Sequence, residues 1–228
     1  MRVDRVADHS FVANGLGPTS VVVDLGVNCG AFALPLARVF GCRVFGVEPV
    51  AELAAQLPRE PGMEIDVAAI TGSDGTATIF DNAGRCATAV TTLAESGAGT
   101  REVPALTLAA LFDRHGIERV DLLKVDIEGA EIDALLAAPR EVLARVAQIT
   151  IEFHDYLDPA LADGTARVDR KLRDVGFRRI AFSRDTTDVL YLNAAVIPLS
   201  PLARLYLLAR YKYPRGIGRM IRARGGTR

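Results

Sequence analysis

The sequence has little of what supports a secreted or membrane-spanning protein. It contains three cysteines, an odd number without metal-type spacing, which favours a reducing cytoplasm over a disulfide framework. The N-terminal residues lack the apolar segment of a secretory signal, so we expect none. No run of about 18 apolar residues occurs, so no membrane span is expected. The sequence therefore predicts a cytoplasmic location.

Acidic residues are missing from the last forty positions. Residues 189–228 hold eight Lys or Arg and no Asp or Glu, while residues 1–188 hold the other 19 basic residues and all 28 acidic ones. A segment around 202–211 suits a helix packed on the body, followed by a solvated tail. The tail's charge also suits weak contact with an anionic membrane surface, or with an acidic carrier or substrate. No nucleic-acid partner is expected, because no binding fold for one is recognisable.

The length of 228 residues, half of them apolar, suits one main domain with a sizeable core. We expect an N-terminal segment at 1–20, a catalytic domain at 21–197 and a basic helix and tail at 198–228. The first 20 residues look polar and end in a loop at 14–20 that leads into the first strand.

Strand-like and helix-like patterns alternate through the main domain, which predicts an α/β fold with a doubly wound sheet. The seven main strands are expected near 21–25, 43–48, 63–68, 120–126, 147–153, 177–183 and 189–195. The last two are separated by too few residues for a helical crossover, so they should be antiparallel. The sequence thus predicts a Rossmann-like seven-stranded sheet, mostly parallel, with one antiparallel strand near its edge.

A strand turns through glycines into a helix at residues 21–40, which suits a nucleotide-like ligand held by free backbone N–H groups. Asp24 ends this strand, where it would repel a phosphate and attract a cation. Asn28 stands where a dinucleotide loop has its second glycine. Glu48, at the end of the next strand, could accept both hydroxyls of a ribose. NAD and S-adenosylmethionine both remain open on these residues.

Three blocks in the same order resemble the FkbM family of S-adenosylmethionine-dependent methyltransferases. They are the stretches at 23–30 (VDLGVNCG), 47–49 (VEP) and 123–131 (LKVDIEGAE). The resemblance implies a class I methyltransferase fold with S-adenosylmethionine as cofactor. Val27 and Cys29 depart from the family's more usual Ala and Ile without removing a polar contact. Ala137-Ala138-Pro139 replaces a frequent glycine at a helix end.

The resemblance also implies roles for individual residues around the cofactor. Asp24 and Gly26 would lie near the methionine part, Asn28 and Gly30 would complete the loop, Glu48 would hold the ribose, Asp66 or the backbone around Ala68 and Ala69 would border the adenine, and Asp126 would sit beside the reacting methyl.

Three residues are candidates for catalysis at the ends of two neighbouring strands: Asp126, Glu152 and His154. Asp126 follows a strand whose carboxyl end should face the ligand crevice, and it is one of two unranked candidate bases. His154 is a candidate base because an ordinary imidazole pKa lies near working pH. Their spacing matches no metal signature, so no metal is expected.

Four other residues carry structural expectations. Lys124 shares a strand face with Asp126 and, inside a buried strand, needs a carboxylate partner. His9 and His115 look like surface residues, and Cys29 is expected to pack under the loop.

The predicted activity is methyl transfer to a hydroxyl of a small molecule, natural product or sugar. Residues 1–20 and a Gly-, Ala-, Ser- and Thr-rich loop at 81–100 would shape the acceptor pocket. The alternatives are an NAD-dependent oxidoreductase, and a non-catalytic S-adenosylmethionine-binding or scaffold protein of the same fold. The sequence does not indicate an oligomeric state.

Overall fold

A computed structural model describes residues 1–81, 88–89, 99–156, 159–183 and 185–212. Most of the loop expected at 81–100 and the tail from 213 lie outside the described residues. The strands are β1 (Val3–Val6), β2 (His9–Val12), β3 (Val21–Leu25), β4 (Arg43–Val47), β5 (Met63–Asp66), β6 (Ala69–Ile70), β7 (Gly75–Asp81), β8 (Thr88–Ala89), β9 (Gly99–Leu106), β10 (Leu122–Val125), β11 (Gln148–Ile151), β12 (Phe177–Ala181) and β13 (Val189–Asn193). The helices are α1 (Ala33–Phe40), α2 (Ala51–Gln56), α3 (Leu108–Arg114), α4 (Glu131–Ala137), α5 (Arg140–Ala144), α6 (Ala162–Val175) and α7 (Pro201–Leu207).

The central layer is a seven-stranded sheet with the order β12-β13-β11-β10-β3-β4-β5. Strands β11, β10, β3, β4 and β5 pair in parallel. Strand β13 is antiparallel to both of its neighbours, β11 and β12, and lies next to the edge. The α/β fold class and its single antiparallel strand near the edge are therefore confirmed.

The strands at the centre of this sheet are buried, as parallel strands covered by helices require. All four residues of β10 and of β11 are buried, and so are all five of β13. The main core cluster also takes in Leu111 and Phe112 of α3 and Leu172 of α6, and the residues that these three strands contribute to it are Leu123, Val125, Ile149, Ile151, Val189 and Tyr191. Thr107 caps α3, its Oγ1 accepting a hydrogen bond from the Ala110 N–H at 3.1 Å. The lateral order of the strands decides which strand ends meet at the site.

Residues 14–20 form the expected loop, and before them the N-terminal segment forms a β-hairpin that the sequence analysis did not predict. Strands β1 and β2 pair antiparallel through a turn in which Ala7 and Asp8 take left-handed conformations, with φ of 43° and 66°. Phe11 is fully buried against the body. The sequence of β1, VDRV, does not alternate apolar and polar residues, and the turn has no glycine to mark it, so the sequence carried no clear hairpin signal.

Asp188 and Gln148 fasten this hairpin to the large sheet. Asp188 accepts hydrogen bonds from the Ser10 N–H at 2.9 Å and from the Ser10 hydroxyl at 2.7 Å. The Gln148 side chain accepts from the Val12 N–H at 2.8 Å and donates to the Val12 carbonyl at 3.0 Å. These paired bonds fix how far β2 reaches along the sheet.

A smaller four-stranded sheet, ordered β6-β9-β7-β8, follows β5 in the chain. The last described helix, α7, continues into a π-helical turn at Leu208–Lys212. Within the described ranges, no helix has the length and apolar character needed to cross a membrane.

Candidate active site

A cavity opens at the carboxyl ends of β3, β4 and β10, where ligands of doubly wound sheets bind. The glycine loop after β3, Glu48 after β4 and Asp126 after β10 line it together. The remaining residues that line the cavity are Ala7, His9, Ala31, Phe32, Val47, Pro49, Leu53, Ala68, Ala69, Ile70, Lys124, Ile127 and Glu128. Three of these side chains are carboxylates, and one is a lysine.

Four of the five N–H groups of the loop at 26–30 donate within the protein, contrary to the expectation of free N–H groups. The N–H groups of Gly26 and Val27 donate to the Val47 carbonyl at 3.0 and 3.1 Å, that of Asn28 to Glu48 Oε2 at 2.8 Å, and that of Gly30 to the Val27 carbonyl at 2.9 Å. A phosphate-binding loop needs such groups directed at the ligand. The loop therefore does not form the anion cradle that a dinucleotide needs.

Gly26 is required by a close approach of two strands. Its φ is 81°, and a Cβ at this position would lie 2.0 Å from the backbone oxygen of Asp126. No side chain fits there, so the loop after β3 and the end of β10 stay in contact. Asn28 adopts a left-handed conformation, with φ of 53°, which asparagine tolerates better than most residues.

Glu48 is a wall of the cavity and is 3% exposed. Its Oε2 accepts from the Asn28 N–H, and its Oε1 accepts from the Val50 N–H at 2.9 Å. Burial raises the pKa of this carboxyl, and the two backbone hydrogen bonds oppose that shift. Glu48 thus joins the ends of β3 and β4 and keeps lone pairs for a ligand, because each carboxylate oxygen can accept more than one hydrogen bond.

Lys124 is the buried cation beneath the loop, and it has the carboxylate partner that its strand position predicts. Its Nζ lies 3.1 Å from Asp24 Oδ1 and 3.6 Å from Asp126 Oδ2, and donates to the Leu25 and Gly26 carbonyls at 3.2 and 2.6 Å. Burial alone would lower the pKa of Lys124, but the charges of Asp24 and Asp126 outweigh it and raise the pKa. Lys124 therefore stays charged and holds the loop against β10.

Asp24 is completely buried and lies outside the residues that line the cavity. The structure places it under the loop, where it neutralises Lys124. The family resemblance implied that Asp24 lies near the methionine part of the cofactor. In the structure Asp24 lies behind the residues that line the cavity, so it would affect a ligand only through Lys124 and the loop.

His9 reaches the cavity from the hairpin and is 1% exposed, so its assignment to the surface was wrong. Its Nε2 lies 3.4 Å from Asp126 Oδ2, and its Nδ1 lies 3.4 Å from the Thr150 hydroxyl. Its ring also meets the edge of Phe32, with centroids 5.7 Å apart. His9 thus contacts the Asp126 carboxylate from the side of β11 and helps to orient it.

Asp126 is surrounded by positively charged and donor groups, as its position at a strand end predicts. Burial would raise the pKa of its carboxyl, but the hydrogen bond with His9 and the charges of Lys124, His9 and His154 hold the pKa well below its usual range. Asp126 is therefore ionised at every physiological pH. Its side chain keeps 26% of its surface exposed on the cavity side.

His154 is held between Glu128 of the loop after β10 and Glu131, the first residue of α4. Its Nδ1 lies 2.9 Å from Glu131 Oε1, and its Nε2 lies 3.2 Å from Glu128 Oε2 and 3.9 Å from Asp126 Oδ1. Burial would lower the pKa of His154, but these two glutamates raise it to about 11. The prediction of a base rested on an ordinary imidazole pKa. A ring that is protonated at neutral pH cannot accept a proton, so that premise fails.

Glu131 closes the loop after β10 with its buried carboxylate. It accepts hydrogen bonds from the Ile127 N–H at 3.0 Å and from the Gly129 N–H at 3.1 Å, besides facing His154. The loop turns sharply here, since Glu128 and Gly129 both have positive φ. The buried Glu131 and His154 form an ion pair that shapes the cavity rim formed by Ile127 and Glu128.

Glu152 lies at the carboxyl end of β11, beside Asp126. Burial and the Asp126 charge raise the pKa of its carboxyl, and the Tyr156 hydroxyl donates to its Oε1 at 3.2 Å. Among the three predicted catalytic residues, Glu152 is the carboxylic acid whose pKa is raised. A carboxylate with a raised pKa is a candidate proton acceptor.

Two groups of side chains bring three possible metal-ligand atoms within 4.8 Å of one another: His9, Asp126 and Glu152, and Asp126, Glu131 and His154. The second group already uses His154 as a buried cation. In the first, Lys124 lies beside the same Asp126 oxygen that faces His9. The prediction of no metal stays a prediction.

Of the remaining residues discussed in the sequence analysis, some line the cavity and others do not. Ala68 lines it, whereas the Asp66 carboxylate lies elsewhere, 2.7 Å from His115 Nε2 and 3.3 Å from an Arg114 nitrogen. His115 is thus largely buried, and its assignment to the surface was wrong. Cys29 is exposed and lines the cavity, so it does not pack under the loop.

Comparison with known proteins decides the family. The model of the Methyltransferase FkbM domain matches residues 24–179, well over half of the chain. The chain belongs to the FkbM methyltransferase family. The match contains Glu48, Asp126, Glu152 and His154, but it begins after the N-terminal hairpin. His9 therefore enters this FkbM site from a segment outside the matched domain.

A curated relative is the AMB antimetabolite synthetase AmbE of Pseudomonas aeruginosa, which is 29% identical over 217 residues. The alignment covers 77% of this FkbM chain and 10% of AmbE, so the chain spans about a tenth of that relative's length.

Two solved structures are also similar. One, from Anabaena variabilis, is assigned as a methyltransferase of an antibiotic biosynthesis pathway, with 14% identity, a TM-score of 0.32, and coverage of 71% of this chain and 57% of that one. The other is a complex of the Trm112 methyltransferase activator with its assigned methyltransferase from Haloferax volcanii, with 13% identity, a TM-score of 0.37, and coverage of 87% and 80%.

Proposed function

We propose that this protein transfers a methyl group from S-adenosylmethionine to a hydroxyl oxygen of a small molecule, natural product or sugar. One observation carries the choice of cofactor. The cavity is lined by three carboxylates, Glu48, Asp126 and Glu128, and its glycine loop uses its own N–H groups internally. Such a cavity favours a cationic ligand without phosphates over the pyrophosphate of NAD.

The residues present fit that cofactor. Glu48 would accept hydrogen bonds from the ribose hydroxyls, since its oxygens face the cavity and stay fixed by Asn28 and Val50. Ala68 and Ala69 offer a flat apolar wall for a base. Asp126 is the permanently ionised carboxylate that would face a positive charge. Lys124 and His9 hold it in place from two sides.

Bound S-adenosylmethionine supplies an electrophilic methyl group on a positively charged sulfur. The protein's part is to orient the acceptor and to remove its proton, since an alcohol is a weak nucleophile. We assign proton removal to Glu152, whose raised pKa suits a base, and whose Oε1 is oriented by the Tyr156 hydroxyl. His154 instead stays protonated and positions Glu128 at the cavity rim.

The choice of a natural-product acceptor rests on the name of a relative. AmbE is named as the synthetase of an antimetabolite, which accords with a natural-product acceptor. We place the reaction in the cytoplasm, as cysteine usage predicts, and propose no nucleic-acid partner. An NAD-dependent oxidoreductase is the alternative that the carboxylate-lined cavity disfavours, and a non-catalytic cofactor-binding protein is the alternative that only a turnover assay separates.

The test is a transfer assay with methyl-labelled S-adenosylmethionine and fractionated metabolite extract, using the wild-type chain and Glu152→Gln. We expect a labelled product whose methyl group survives mild alkali, as an ether does and an ester does not. Glu152→Gln should lower its formation about a hundredfold while leaving cofactor binding intact. Binding without any transfer would favour the non-catalytic alternative, and label lost to alkali would contradict the hydroxyl acceptor.

A further inference from the structure

Among the described residues, exposed large apolar side chains are concentrated in α7 and just before it. Eight large apolar side chains are exposed among the described residues, and four of them lie between positions 196 and 206. Leu202 is 79% exposed, Leu205 62% and Tyr206 53%. Single exposed apolar residues are common, but a cluster of them marks a contact surface.

The helix geometry places three of these side chains together. Leu202, Leu205 and Tyr206 are spaced i, i+3 and i+4 in α7, so they share one face. Leu207 is fully buried on the body side, in a cluster with Phe182 and Leu190. Helix α7 therefore packs on the body through the face that carries Leu207. Its outer face, with Leu202, Leu205 and Tyr206, stays exposed in the part of the chain that the structure describes.

Positive charge lies beside this apolar face, in a groove that Leu205 also lines. A groove between α7 and the edge strand β12 is lined by Arg173, Arg178, Arg179 and Arg204 together with Leu205. Asp169 pairs with Arg173 and lies 3.6 Å from Arg179 Nε, while Arg178 and Arg204 are exposed. No acidic residue is among the described residues that line the groove.

We propose that the outer face of α7 and this arginine groove dock the protein on an anionic lipid bilayer. The three apolar side chains would enter the interface between headgroups and acyl chains, and the arginines would meet the headgroup phosphates. A bilayer fits better than an acidic protein, because the sequence after Arg210 continues with Lys212 and five arginines and no acidic residue. Charge spread over so long a stretch complements an extended anionic surface. The proposal does not rest on methyl transfer.

The test is co-sedimentation of the full chain with vesicles of equal parts phosphatidylglycerol and phosphatidylcholine, and with phosphatidylcholine alone. We expect binding to the anionic vesicles only, weakened by high salt. The double variant Leu202→Glu/Leu205→Glu should weaken it about tenfold or more, and Arg204→Glu should weaken it as well. Val39→Glu is the matched control, because Val39 is 77% exposed on α1, away from this face.

Thermal unfolding of each variant establishes that it is folded, and Leu202→Glu alone replaces the double variant if that one is not. Failure to bind anionic vesicles would overturn the proposal. Binding that the Leu202 and Leu205 variants leave unchanged would overturn it too, since the segment after residue 212 would then carry the attachment. Binding of polyglutamate with none of vesicles would assign the face to an acidic protein instead.

Discussion

The ion pair between Glu131 and His154 gives a sharp prediction for Glu131→Gln. Glutamine keeps an oxygen for the Ile127 and Gly129 N–H groups but removes the charge that faces His154 Nδ1 at 2.9 Å. Removing one partner of a buried pair costs about 3–5 kcal/mol. We expect Glu131→Gln to lower the unfolding free energy by about 3 kcal/mol, the lower end of this range, because Glu128 still faces His154 Nε2.

The same pair predicts how stability depends on pH. The pKa of His154 is raised to about 11 in the folded protein, from an unfolded value of 6.5. Its contribution is therefore complete below the unfolded pKa, and it is lost as pH rises through the folded pKa. Between these limits, this single group lowers stability by about 1.4 kcal/mol per pH unit. Glu131→Gln lowers the folded pKa, so the loss between pH 7 and 9 should be smaller in the variant.

The assay combines chemical denaturation at several pH values with an NMR titration of the imidazole signals. The chain has three histidines, so a His154→Asn spectrum assigns the signal. Glu128→Gln is the control: its side chain is 34% exposed, so its loss should cost only about 1 kcal/mol. A wild-type His154 signal that titrates near 6.5, or equal costs for the two glutamates, would refute the reasoning and restore His154 as a candidate base.

Three further predictions concern the cavity. Glu48→Gln should weaken S-adenosylmethionine binding about tenfold to a hundredfold in calorimetry, because a charged hydrogen-bond acceptor is lost; unchanged affinity would remove Glu48 from the ribose site. Asp126→Asn should reduce the preference for S-adenosylmethionine over the uncharged-sulfur S-adenosylhomocysteine, measured as the ratio of their dissociation constants, since the carboxylate charge favours the sulfonium. Gly26→Ala should lower the melting temperature strongly, because its Cβ would lie 2.0 Å from a backbone oxygen. Gly17→Ala, with no atom within 4 Å of its Cβ, should leave it unchanged, and equal effects would argue against the contact.

Much of the fold follows from local patterns in the sequence. The seven strands were predicted within a few residues because apolar runs alternate with helical periods and end at glycines or prolines. The short link before Val189 was enough to predict the antiparallel strand. The burial of Lys124 on a strand face likewise required a carboxylate, and Asp24 is one strand away.

The features that the sequence did not reveal depend on contacts between distant residues. His9 meets Asp126 across 117 positions, through a hairpin whose turn lacks the glycine that usually marks one. Glu128 and Glu131 contact different ring nitrogens of His154, and Glu128 does so from a left-handed conformation. Both glutamates lie in the block at 123–131, but nothing in that block indicates that they pair with His154, so the pKa assignment for His154 required the folded structure.

The measurement that tests the central claim most directly is calorimetric titration of the full chain with S-adenosylmethionine and, separately, with NAD. The carboxylate-lined cavity and the internally bonded glycine loop predict saturable binding of S-adenosylmethionine and no binding of NAD. Saturable binding of NAD, with none of S-adenosylmethionine at millimolar concentration, would contradict the account.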